Sequence, residues 1–144
     1  MFTHLLPESD KLFSVQYSDY ARNHFLSSFQ KKYPGKQWQF TEISIKQDLA
    51  RLRMKNNTTQ KSSQIDELKY KDHYWIAKYD FKIAGSRDST KAFGDRCILL
   101  IDTEKEYIEI LIIYHKDDLP KNKKETQYIM DTLRENYDCL KLFE

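Results

Sequence analysis

RCILLIDTEKEYIEILIIYH, residues 96 to 115, decides the fold. RCILLID has the length and branching of a buried strand, Thr103 to Glu106 are polar, and Tyr107 to His115 returns to apolar, β-branched character. Two such runs joined by a short polar turn read as an antiparallel hairpin at the centre of a sheet.

Upstream, YWIAKYDFKIA (Tyr74 to Ala84) alternates. Trp75, Ala77, Tyr79, Phe81 and Ile83 fall on one side and Lys78, Asp80 and Lys82 on the other, which predicts a half-exposed strand. GSRDSTKAFGD, Gly85 to Asp95, is loop chemistry. NNTTQKSSQ, Asn56 to Gln64, is polar and aperiodic, and an exposed connection is expected over 56–73. Trp38, Ile45, Leu49 and Leu52 recur near helical spacing and predict a helix from Gln37 to Met54. Ala21, Phe25, Phe29 and Tyr33 recur every four residues, widened by Leu26, and predict another from Tyr20 to Tyr33 that Pro34-Gly35 ends. LFSVQY, Leu12 to Tyr17, suits a short strand, with Ser18 and Asp19 placed to cap the helix after it.

Downstream of Pro120 and the KNKK run, ETQYIMDTLRENY offers Ile129, Met130, Leu133 and Tyr137 for a last helix. The expected order is β-α-α-β-β-β-α: an α+β fold with a small, twisted, antiparallel-rich sheet, two N-terminal helices packed on it and a C-terminal helix.

With 144 residues, 40% of them hydrophobic, there is material for one core and too little for two ordinary domains. One domain over 1–144 is expected, with 1–11 as a leader. No apolar run approaches the ~20 residues that span a bilayer, and MFTHLLPESDK lacks the features of a signal peptide. A cytoplasmic protein is therefore expected, with Cys97 and Cys139 as free thiols.

Lys and Arg number 24 against 22 Asp and Glu, a net +2 that does not by itself identify a nucleic-acid binder. The distribution is uneven. Residues 41–61 hold five cations and two anions, and residues 69–96 hold seven and four, so each stretch carries +3.

The element order, together with FSVQYSDYARNHFLSSF and DRCILLIDTEKEYIEILIIYHKDDL, resembles the RelE/ParE superfamily of toxin–antitoxin toxins. The resemblance covers most of the chain, which is longer than the usual toxin of roughly one hundred residues. It implies an mRNA endonuclease that works on the ribosome, drives the 2′-hydroxyl onto the adjacent phosphate without a metal, and is held in check by a cognate antitoxin. Such chemistry needs proton transfer and positive charge for the developing phosphorane. No cofactor is expected, and the sequence shows no cluster with metal-ligand spacing.

On that resemblance Arg96 holds the scissile phosphate and His115 transfers a proton to the leaving oxygen. Lys82 adds charge to the catalytic set, and Lys78, Arg87, Lys91, Lys116, Arg51 and Arg53 contact the RNA backbone. Asp80 or Asp117 is available as a base, and Tyr114 or Tyr79 for stacking. His4, His24 and His73 share no site. The scheme requires Arg96 and His115 to open into one cleft. Two alternatives carry no chemistry: a ParE-like inhibitor of DNA gyrase, and an interaction module on the same fold, the latter motivated by the modest charge and the long insertions.

Overall fold

A computed structural model describes residues 12–33, 35–52, 54–55, 58–59 and 65–144. β1 is Ser14–Tyr17. Helix α1 follows as Asp19–Ala21, a π-helical turn Arg22–Leu26 and Ser27–Gln30, and α2 is Lys36–Ala50. β2 (Met54–Lys55) and β3 (Thr58–Thr59) pair antiparallel with each other. Then come β4 (Ile65–Lys71), β5 (Tyr74–Phe81), the single turn α3 (Thr90–Phe93), β6 (Asp95–Asp102), β7 (Tyr107–His115) and α4 (Glu125–Asn136).

The fold is α+β. Its main sheet has five strands in the order β1-β7-β6-β5-β4, with β1 parallel to β7 and every other pair antiparallel. The β6–β7 hairpin is central, as its unbroken apolar character requires, and Ile98, Leu99, Ile101, Ile108, Ile110 and Ile112 are fully buried.

One face of the sheet packs Tyr79, Phe81, Cys97, Leu99, Ile108 and Ile110 against Phe29 of α1 and Trp38, Ile45 and Leu49 of α2. The other packs Ile76, Ile98, Ile112 and Tyr114 against Ile129 and Leu133 of α4. Both faces are therefore covered. The half-exposed reading of Tyr74 to Ala84 is corrected accordingly, for Ile76 and Asp80 are fully buried beneath α4.

Two further expectations change. Of the connection expected over 56–73, Ile65–Lys71 forms an edge strand instead, paired antiparallel with β5. Its string IDELKYK breaks the alternation of apolar with polar at Asp66-Glu67, beside a register shift between Glu67 and Lys69, and an edge strand tolerates such charge where a central one does not. Asn56, Asn57 and residues 60–64 lie outside the described residues, as do residues 1–11. The helix expected to reach Met54 ends at Ala50, where the chain turns and Phe13 N–H donates to the Ala50 carbonyl at 2.8 Å.

One irregularity governs the site. From the turn, β6 and β7 pair Asp102 with Tyr107 and Leu99 with Ile110, but Ile98 pairs with Ile112, so Leu111 is an extra residue on β7. Such a bulge exchanges the two faces for everything beyond it. The Tyr137 hydroxyl donates to the Leu111 carbonyl at 2.6 Å and lies 2.6 Å from Ser18 Oγ, which accepts from the Ala21 N–H at 2.9 Å as the N-cap of α1. With the tyrosine proton committed to Leu111, the Ser18 hydroxyl donates to Tyr137, and one chain of bonds ties the bulge, the α1 cap and the end of α4.

Tyr137→Phe removes that clip and leaves the bulge carbonyl short of a donor. We expect a loss of about 1–3 kcal/mol in urea denaturation, and a variant as stable as the parent would show that the clip does not hold the bulge.

Candidate functional site

Arg96 opens β6 beside Asp95, and neighbours on a strand face opposite ways. Arg96 pairs across the sheet with Tyr114 and Asp80, on the α4 side, whereas Asp95 pairs with His115 and Phe81, on the α1–α2 side. The single cleft expected for Arg96 and His115 is thus corrected: the two lie on opposite faces. Without the bulge at Leu111, Arg96 would pair with Ile113 and the odd-numbered end of β7, His115 included, would share its face.

On the α4 face Arg96 is buried. Its guanidinium binds both carboxylate oxygens of Glu125, and Nε lies 3.2 Å from Asp80 Oδ1, an electrostatic contact whose alignment is poor for a hydrogen bond. Tyr114 donates to Glu125 at 2.7 Å, and Lys78 lies 3.8 Å from both Glu125 and Asp66. Burial raises the Glu125 pKa, but hydrogen bonds from Arg96 and Tyr114 and the charge of Lys78 outweigh it and hold the carboxyl below its ordinary value of 4.5. Arg96 is correspondingly pushed up despite its desolvation. The strand arginine is a partner to carboxylates inside the protein, not an open phosphate clamp.

On the other face His115 Nδ1 lies 2.7 Å from Asp95 Oδ1 and Nε2 lies 3.1 Å from Asp117 Oδ2. Asp95 is fully buried and also accepts from the Tyr33 hydroxyl at 2.9 Å, while Phe93 meets the imidazole edge-on at 6.2 Å. Burial pushes the Asp95 pKa up, opposed by its bonds from His115 and Tyr33. A buried carboxylate that fixes one imidazole nitrogen is an arrangement suited to proton transfer. Here the second nitrogen faces Asp117, so that carboxylate has to swing away before a substrate oxygen can take its place.

The remaining expected residues scatter. Lys82 donates to the Asp88 carbonyl at 2.9 Å and lines a separate pocket with Thr41, Asp48 and Tyr79 against α2. Arg87 is exposed in the following loop, and Lys91 sits in α3. Arg51 ends α2 near the start of β1, and since β1 begins opposite Tyr107, it is about 23 Å along β7 from the His115 end. Arg53 lies outside the described residues. Lys116 and Asp117 do join Arg96, in an open pocket of about 390 Å³ that Lys121, Lys123 and Glu125 also line. Tyr114 and Tyr79 are buried and hydrogen-bonded to Glu125 and Asp48, so neither is free to stack on a base. His24 is exposed, and His73 sits 3.7 Å from Asp102 and 3.5 Å from Glu104. No cluster that could hold a metal is found among the described residues, and no helix among them is long and apolar enough to cross a membrane.

No family model, curated protein or solved structure matches this chain. The site therefore stands on its own geometry. Sequence reasoning missed Glu125, Tyr33 and the roles of Asp95. The Asp95-Arg96 dipeptide held a signal for the last, because adjacent opposite charges opening a strand must serve different faces.

Because Glu125 titrates lower in the folded chain than unfolded, its ion pair stabilises fully above about pH 4.5 and is lost as pH falls through the depressed value. Glu125→Gln should cost about 1–2 kcal/mol at neutral pH, and the gap to the parent in urea denaturation should close on acidification. A gap independent of pH would contradict the assignment.

Proposed function

We propose that this chain acts by binding a macromolecular target and not by cutting RNA, as a ParE-like toxin whose activity a cognate antitoxin masks. One observation carries the absence of RNA chemistry: Arg96 and His115 lie on opposite faces of the sheet, and each faces two carboxylates. A transition state gathering negative charge needs cations free to meet it in one place, and these two cannot. The target class, DNA gyrase, and the antitoxin come from the sequence resemblance alone. An antitoxin segment laid over the exposed cations would neutralise them.

A second reading has its own support in the Asp95–His115 contact, whose geometry suits a proton carrier. It keeps ribosome-dependent mRNA cleavage, with His115 as the proton donor and Lys116 and its neighbours supplying the charge.

The two separate cleanly. On the binding reading, the purified chain inhibits gyrase supercoiling, primer extension on translated mRNA shows no new ends, and His115→Ala inhibits growth as strongly as the parent. New transcript ends that His115→Ala abolishes, with supercoiling intact, would replace the first reading by the second. A chain that touches neither target and leaves growth unaffected would sink both.

A further inference from the structure

Two open pockets flank the segment from His115 to Lys121 and share Leu119 as a wall. The larger, about 390 Å³, is lined by four cations, Arg96, Lys116, Lys121 and Lys123, against two carboxylates, Asp117 and Glu125. Their charges are not equally committed. Arg96 is held by Glu125 and Asp80, and Lys123 by Asp131 at 2.9 Å, whereas Lys116 and Lys121 form no ion pair among the described residues.

Lys116 is also positioned. Its methylenes lie where a Cβ on residue 94 would be, within 2.9 Å, so the stem crosses a place only glycine leaves open. Its N–H donates to the Gly94 carbonyl at 2.9 Å. Two uncommitted ammonium groups in a pocket whose lining carries a surplus of two positive charges favour an anion of more than one charge.

The smaller pocket, about 160 Å³, lies between α1 and α4 alongside the end of β7, beyond the reach of β1, which pairs only as far as Ile110. Phe25, Phe29, Tyr128 and His115 supply rings to its wall, and Lys32 and Asp118, paired at 2.5 Å, supply its polar rim. Phe25 comes from the π-helical turn Arg22–Leu26, an irregularity that shifts side chains out of helical register and recurs at functional sites. A slot walled by rings takes a flat aromatic group by stacking and edge contacts.

We propose that these two pockets form one binding site for a nucleoside phosphate, with the phosphates against Lys116 and Lys121, the base among Phe25 and Tyr128, and the sugar crossing Leu119. The site binds without a covalent step. It stands apart from the gyrase proposal, since neither outcome there requires or excludes it.

Titration of the isotope-labelled full chain with inorganic pyrophosphate, ribose 5-phosphate and nucleoside 5′-diphosphates, followed by amide shifts, tests it. Diphosphates should bind saturably, about tenfold tighter than ribose 5-phosphate, and shift amides of both pockets. Lys116→Glu combined with Lys121→Glu, both at exposed positions, should leave the folded spectrum intact and weaken binding about tenfold or more. Absence of saturable binding, binding of pyrophosphate alone, equal affinity for ribose 5-phosphate and nucleotide, or undiminished binding by the double variant would each overturn the proposal.

Discussion

Everything at the functional end of this molecule follows from the alternation of side chains along β6 and β7, and from one extra residue that resets it. Asp95 and Arg96 are neighbours, as are Tyr114 and His115, and each pair must divide between the two faces of the sheet. Leu111 decides which member goes where. With it inserted, the acid of the first pair meets the imidazole of the second beneath α1, and the guanidinium meets the phenol beneath α4. Two separate polar clusters result, and Arg96 is kept off the face of His115 that a regular hairpin would have given it.

Each cluster finds its partners within itself, which offsets the burial of polar groups at 0–8% exposure. Asp80 and Glu125 bracket Arg96, and His115 with Tyr33 surrounds Asp95. Removing water from such groups is costly, and the compensation comes from well-placed partners. The same balance consumes the charge that a phosphoryl transfer would require. Past the end of β7, Lys116 and Lys121 form no ion pair among the described residues.

The hairpin was legible because burial on both faces demands continuous apolar runs, and 97–101 and 110–114 are such runs. The helices were legible from spacing, with Trp38, Ile45 and Leu49 inward as read. Continuity hid the bulge for the same reason: Ile110, Leu111, Ile112 and Ile113 are all at or below 2% exposure, so no polar residue marks the change of phase. β4 escaped notice because only Ile65 on it is buried and its other residues obey an edge strand's tolerance of charge. In the site, Arg96 and His115 stood out by residue type, but Glu125 lies 29 positions from Arg96, and Tyr33 lies 62 positions from the Asp95 that meets His115, and a distance of that kind leaves no local trace.

The contact between Ser18 and Tyr137 spans 119 positions and secures the edge of the sheet where β1 joins β7. During synthesis the first strand emerges long before either of the elements that fix it. The chain must therefore carry Ser14 to Tyr17 unpaired until Tyr107 to Ile110 have been made, which favours late, cooperative closure over stepwise growth from the N-terminus.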